Sequence, residues 1–420
     1  MTEGKTYFCI DMKSFFASVE CAERGLNPFT TNLVVADPTR GNGSLCLAVT
    51  PKMKSLGVKN RCRIFEIPPG IKYEIAMPRM KKYIEYAADI YEIYLHYMDK
   101  QDIHVYSIDE SFIDATDYLR IYKMTAKEYV TKLINEIGTK LHIPATAGIG
   151  TNLFLAKIAL DITAKKTPEH IGYLDEETYR ATLWDHQPIT DFWQIAKGTA
   201  RRLEKYGIKT MRGVANYPSN ILYKEFGINA ELLIDHAWGR ESCTMADIKS
   251  YKSKSHSVSN SQILLSDYDF DKARIVMDEM VLNGCHELMR RHVVTNHVWI
   301  AVGYSKDAIM PTQGSARMFE TTNVYSVIRR YALEQFDKTT DKKVPIRRLS
   351  IAFGNVVDEC CEGYDLFTDM AAIEKEKTRE KVVLEIKSKF GKNAVLRASD
   401  LQDGATTRMR NQQIGGHNSE

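Results

Sequence analysis

The sequence predicts an α+β protein of several domains, and three observations carry that expectation. Short apolar strands alternate with two long amphipathic helices up to about residue 171. From about residue 172 the pattern turns all-helical, and beyond a serine-rich basic joint at residues 251–260 (YKSKSHSVSN) strands and helices alternate again. A chain of 420 residues with 44% hydrophobic content suffices for two to four folded domains. In the first part, strands interleaved with two long helices point to a sandwich of ferredoxin-like type, a fold that by itself decides no function.

In chain order, TYFCI at residues 6–10 reads as a strand ending on Asp11, and an amphipathic helix begins at once over residues 15–23. Residues 33–36 and 44–49 read as strands. Thr50-Pro51 then opens a short helix, with threonine as N-cap, proline at the first helical position and Gly57 past its end; Lys52 and Lys54 ride on it. A long helix follows over residues 78–98, with apolar residues at helical spacing. Residues 103–114, IHVYSIDESFID, read as a hairpin turning at Asp109-Glu110. Thr125-Ala-Lys-Glu128 is a capping box for a helix to about Leu141, residues 145–149 form a strand, and Asn152 caps a helix over residues 153–164 that runs into Lys165-Lys166.

In the helical part, residues 193–210 (WQIAKGTARRLEKYGIKT) read as helix, tight turn, helix, with Lys197, Arg201, Arg202, Lys205 and Lys209 against the single acid Glu204. Amides at such a turn, backed by basic side chains, can grip a phosphodiester backbone without reading sequence; a solvated basic helix face is the plain alternative. The second α+β part places strands at residues 262–265, 293–302 and 347–353 and helices at residues 270–291 and 324–336, with Lys252, Lys254, Arg347 and Arg348 nearby. Beyond Val357 strand character fades. A short apolar motif, Tyr364-Asp-Leu-Phe367, precedes a charged helix over residues 370–390 and a polar end.

The acids supply the chemistry. A two-residue hairpin turn favours glycine for its positive φ, yet Asp109 and Glu110 stand there, against their mutual repulsion. An isolated Asp-Glu pair is ordinarily a solvated turn. If the strand ending at Asp11 neighbours this hairpin, three carboxylates meet at one sheet edge. Oxygen-only ligation of that kind suits Mg²⁺, and a second ion bridged by the same groups would complete a two-metal phosphoryl-transfer centre.

Composition excludes other classes. No apolar run approaches bilayer length, and MTEGKTYF lacks the regions of a signal peptide, so the expectation is a cytoplasmic protein with no membrane partner. Eight cysteines without C-x-x-C spacing read as reduced thiols, with no zinc site. A net charge of +3 is too small to argue for nucleic acid by itself.

CIDMKSFFASVE and YSIDESFID, in that order and at that separation, resemble the two metal motifs of the Y-family, or translesion, DNA polymerases, most closely the bacterial UmuC-like branch. GIGTNLFLAKIALDITAKK, the helix–turn–helix and the ending KNAVLRASDLQDGATTRMRNQQIGGH extend the likeness over nearly the whole chain. The resemblance implies a right-hand polymerase: a ferredoxin-like palm (residues 1–22 and 76–171), small fingers (23–75), a helical thumb with a helix-hairpin-helix (172–246), an α+β little finger (252–356) and a C-terminal tail (357–420). It implies Asp11, Asp109 and Glu110 as catalytic ligands of two Mg²⁺ ions, with the Met12 carbonyl as a backbone ligand. Phe16 falls at the steric gate against ribonucleotides, Lys54 and Lys165 at the triphosphate, and Leu45 at the roof over the nascent base pair. Lys197, Arg201, Arg202, Lys252 and Lys254 are the expected DNA contacts. Leu366 and Phe367 lie in a peptide resembling a sliding-clamp motif, or equally an apolar anchor for the tail. The implied partners are primer-template DNA, deoxynucleoside triphosphates, the sliding clamp and accessory proteins. The implied activity is low-fidelity synthesis opposite damaged bases, without proofreading.

The chain departs from the family pattern in places. Pro51 stands where many relatives carry a tyrosine for the triphosphate, and Lys13 where an acid is common. One extra residue leaves Lys165 and Lys166 as alternatives, and Gln194 and Ala196 replace glycines of the DNA-gripping turn. A nucleotide cyclase shares the carboxylate-bearing hairpin, but has no use for the basic helix–turn–helix or a second α+β domain. A DNA-binding protein without catalysis would not need all three acids.

Overall fold

The computed structural model describes residues 4–253, 257–305 and 308–420. It divides into two compact units, Met1–Lys252 with His417–Glu420, and Ser253–Gly416.

The first unit is built on a five-stranded sheet, and its elements arise in chain order. They are β1 (Tyr7–Met12), α1 (Phe15–Glu23), β2 (Leu33–Val35), β3 (Ala48–Val49), α2 (Pro51–Ser55), β4 (Glu74–Ala76), α3 (Met80–Leu95), β5 (Ile103–Val105) and β6 (Glu110–Asp114). After them come α4 (Thr116–Tyr122), α5 (Ala126–Leu141), β7 (Ala145–Gly150), α6 (Leu153–Ile158) and β8 (Ile171–Leu174). The central sheet has the order β5-β6-β1-β7-β8, and β2, β3 and β4 form a small separate sheet. Because β1 is the middle strand, both of its faces are covered. Phe8, Ile10 and Met12 enter a core with residues of α3 and α5, while Tyr7 and Cys9 pack with Phe112, Leu153, Ala156 and Leu160.

Local signals set several boundaries. Thr50 caps α2 through Met53 N–H, and the Thr125–Glu128 capping box starts α5. The helix expected over residues 153–164 is instead α6 followed by a wider π-turn, Ala159–Thr163, and a tight turn, Ala164–Lys166. This segment lies directly on the sheet backbone. A Cβ added at Gly148 would stand 2.0 Å from Ala156 O, and one at Gly150 would stand 2.1 Å from Ala156 N. Only glycine permits that approach. The all-helical region expected from residue 172 also begins later, because Ile171–Leu174 is a strand parallel to β7.

Helices α7 (Glu176–Leu183), α8 (Lys197–Glu204), α9 (Met211–Ala215), α10 (Ser219–Phe226), α11 (Asn229–Trp238) and α12 (Met245–Ser250) complete the first unit. The helix–turn–helix lies later than expected. Trp193 is not helical; its indole N–H donates to the Tyr106 hydroxyl at 3.0 Å, and the two helices are α8 and α9, joined through Gly207 at φ 73°.

In the second unit, β9 (Val258–Tyr268), α13 (Phe270–Arg290), β10 (Val293–Tyr304), β11 (Thr312–Thr322), α14 (Tyr325–Thr339) and β12 (Ile346–Gly354) make an antiparallel sheet, order β11-β10-β12-β9, under two helices. β13 (Val357–Asp358), α15 (Met370–Phe390) and α16 (Thr407–Arg410) follow. The chain beyond residue 357, expected as a separate tail, packs into this unit as far as Gly416. Buried Glu279 accepts from the amides of Thr406 and Thr407 at 2.9 and 3.0 Å, and His286 Nε2 lies 2.8 Å from Glu380.

Candidate active site

Register brings the acids together. β1 and β6 are antiparallel with Asp11 opposite Glu110, so both side chains leave the same face of the sheet. The Met12 amide donates to the Asp109 carbonyl at 2.9 Å, which fixes Asp109 beside the end of β1. The turn itself differs from the expected Asp109-Glu110 pair. Glu110 is the first residue of β6, and the amides of Tyr106 and Ser107 both bond its carbonyl, at 2.9 and 3.1 Å. The loop therefore runs over residues 106–109, and neither carboxylate residue adopts the positive φ that a two-residue turn demands.

The three acids have different surroundings. Glu110 is buried; its carboxylate accepts from Lys157 Nζ at 2.8–2.9 Å and from the Cys9 thiol at 3.1 Å. Lys157, itself 8% exposed, also meets Asp161 at 3.1 Å. Burial works against its ammonium, but Asp161, Cys9 and Glu110 raise its pKa above the ordinary lysine value. Asp109 accepts from the Ser107 hydroxyl at 2.7 Å. Burial, then the neighbouring Asp109 and Glu110, raise the Asp11 carboxyl to about 7. Among the described residues no three His, Cys, Asp or Glu side chains already form a metal cage. Glu110 is drawn toward Lys157 and Asp109 toward Ser107.

Lysines surround the acids. Burial lowers the pKa of the Lys54 amine on α2, the charge of Asp11 counters it, Lys165 lowers it further and Asp109 raises it. Lys13, at the end of β1, is pushed down to about 8, by burial first and by Lys54 second. Ser14, at φ 50°, turns the chain sharply from β1 into α1, and its carbonyl accepts the Ser18 amide at 3.0 Å. Phe15 enters the core that holds Met12, and Phe16 packs against that core. Phe16 is half-buried, and Leu45 is 39% exposed beside its bridge to Arg63.

Of the expected DNA contacts, Lys197 and Arg201 are exposed on α8 and Lys252 is exposed. Arg202 is occupied by Glu225 at 2.7 Å and by the Phe226 ring at 4.2 Å, so its guanidinium serves the helical cluster first. Lys254 lies outside the described residues. In the second unit, Leu366 and Phe367 are 99% and 95% exposed. Sequence reading missed Lys157, because a lysine in LFLAKI reads as a surface residue; its i,i+4 spacing to Asp161 within an otherwise apolar helix was the available signal. It also missed Arg317, which is exposed on the unforeseen strand β11.

The impB/mucB/samB family profile matches residues 10–161. Over 99% of its length the chain is 32% identical to a putative UV-damage repair protein, UvrX, of Bacillus subtilis, covering 98% of that protein. It is 30% identical, again over 99% of its length, to DNA polymerase IV 2 of the same organism, covering all of it. Among solved structures, a Y-family DNA polymerase chimera of Dbh and Dpo4 superposes with a TM-score of 0.64 at 22% identity, over 84% of this chain and 99% of the other.

Proposed function

Because the chain belongs to the Y-family of DNA polymerases, we propose that it extends primers opposite damaged template bases, with low fidelity and no proofreading. Membership makes it a DNA-directed DNA polymerase. The observation that carries the finer reading is the register pairing of Asp11 with Glu110, with Asp109 at the adjoining turn.

The donor set fits hard divalent cations. Three carboxylates lie close together at the ends of the neighbouring strands β1 and β6, and burial, then the repulsion of the other two, raises the Asp11 carboxyl to about 7. A dication relieves that repulsion, and its oxygen ligands would be Asp11, Asp109, Glu110 and the Met12 carbonyl. Magnesium bound there would supply Lewis-acid activation for attack of a primer 3′-hydroxyl on the α-phosphate.

The chain's own residues do the positioning. Lys54 and Lys165 balance the triphosphate charge, and Phe16 occupies the space that a 2′-hydroxyl would need. Leu45 roofs the base pair, and the small β2–β4 sheet leaves little protein to close over it, so distorted bases and mismatches both pass. Lys197 and Arg201 on α8 contact backbone phosphates, as does Lys252. Arg317 and Arg348, both exposed on the second unit's sheet, suit the same task. Leu366 and Phe367, both exposed, are the proposed anchor for a sliding clamp.

Primer extension on a template with an abasic site tests the proposal. Wild type should extend past the lesion in magnesium, and Asp109→Asn should bind the same DNA without extending it. Equal extension by the variant would overturn the assignment.

A further inference from the structure

Phe16 does not stand alone. Its ring lies face to face on Tyr83 of α3, with centroids 4.4 Å apart and planes 14° from parallel. Tyr83 is fully buried, and its hydroxyl donates to Glu20 Oε1 at 2.8 Å. Glu20 lies one turn beyond Phe16 on α1, and its side chain is wholly enclosed. Arg79, the residue preceding α3, donates to both Glu20 oxygens at 3.0 Å each, and Arg24 donates to the same carboxylate. Burial would raise the Glu20 carboxyl, but these bonds hold it below the ordinary value, so it stays an anion and an acceptor.

A buried carboxylate with several directed partners is a costly way to fill space, since an apolar side chain of similar volume packs as well. What it adds is geometry. Two arginine bonds fix the carboxylate plane, the carboxylate fixes the Tyr83 hydroxyl, and the Tyr83 ring then has one orientation. The partner ring stacked on it loses the freedom to tilt. A lone aromatic ring excludes a hydroxyl group only while it cannot swing aside, and a small misplacement of a positioning group can change rates by orders of magnitude.

We propose that Tyr83 is a positioning residue for sugar selection. Tethered through Glu20 and Arg79, it backs the Phe16 ring and holds it against the 2′ position of the incoming nucleotide. This inference rests on the reading of Phe16 as the gate.

The test compares kcat/KM for a deoxynucleotide and the matching ribonucleotide on one primer-template, in wild type, Tyr83→Leu, Tyr83→Phe and Phe16→Ala. Tyr83→Leu should lower the deoxy-to-ribo ratio by about tenfold, mainly by raising ribonucleotide use, and Tyr83→Phe, which keeps the ring but loses the tether, by about threefold. A loss of packing alone would lower both kcat/KM values together and leave the ratio unmoved. If Phe16→Ala relaxes selection while Tyr83→Leu leaves the ratio unchanged, the Tyr83 proposal fails and the gate survives. If Phe16→Ala itself leaves the ratio unchanged, the gate reading fails and takes this inference with it. Should Tyr83→Leu not fold, Tyr83→Phe decides, and an unchanged ratio there overturns the proposal.

Discussion

Replacing Lys157 with methionine probes the acid cluster through a buried cation contact. The ammonium lies 2.8 Å from Glu110 and 3.1 Å from Asp161, with a tenth of its side chain exposed. At an effective dielectric of about 20, the Glu110 contact alone is an attraction on the order of 6 kcal/mol before desolvation. Stripping water from both ions offsets much of that. The loss expected on removing one partner is about 3–5 kcal/mol, because the other charge is then left buried and unpaired. Methionine keeps the length and the apolar contacts of α6, so packing contributes little. In a unit of this size the loss lowers Tm by roughly 10 °C. Thermal and urea unfolding in chelator would measure it. Adding Glu110→Gln to Lys157→Met removes the stranded charge and should recover at least about 2 kcal/mol, a coupling that a double-mutant cycle isolates. A single-variant loss under about 1 kcal/mol, or strictly additive losses, would refute the reasoning.

Gly148→Ala should destabilise the first unit by more than about 3 kcal/mol, since its Cβ would meet the α6 backbone and no side chain can move aside; urea midpoints check this. Glu380 tests the second unit by pH. Burial would raise its carboxyl, but the bond to His286 and the charge of Arg397 hold it at about 2, against an ordinary 4.5. Its contribution is therefore complete above about pH 4.5 and lost as pH falls through about 2, so Glu380→Gln should cost up to about 3 kcal/mol at pH 7 and almost nothing at pH 2 in pH-dependent unfolding. Changing both Leu366 and Phe367 to alanine should leave stability within about 0.5 kcal/mol, because both are exposed, while pull-down of the sliding clamp is lost.

What could be read from the chain was what has a local cause. The Thr125–Glu128 box and the Thr50-Pro51 start each place a helix by short-range chemistry, and α15 follows its charged periodicity. The meeting of Asp11 with Glu110 was legible because both lie at ends of short apolar strands. Strand β11 was not. Its sequence, TQGSARMFETT, shows no apolar alternation, because part of its inner face is small: a Cβ at Gly314 would stand 2.8 Å from Thr339 of α14. β8 was hidden by its shortness, and Trp193 reads as a helix start until Tyr106, far back in the chain, holds it in place. Lys157 was missed for the same reason. Its partner Glu110 lies 47 residues upstream, and the i,i+4 spacing to Asp161 points only to the local ion pair.

The central claim is that Asp11, Asp109 and Glu110 hold the divalent cations of nucleotide transfer. Manganese takes the same oxygen ligands as magnesium and is visible by electron paramagnetic resonance. Titrated into wild type with primer-template and a non-hydrolysable deoxynucleoside triphosphate, it should saturate at about two ions per chain. Asp11→Asn and Asp109→Asn should each lose at least one of them while still binding the DNA. Undiminished manganese binding by both variants would contradict the account.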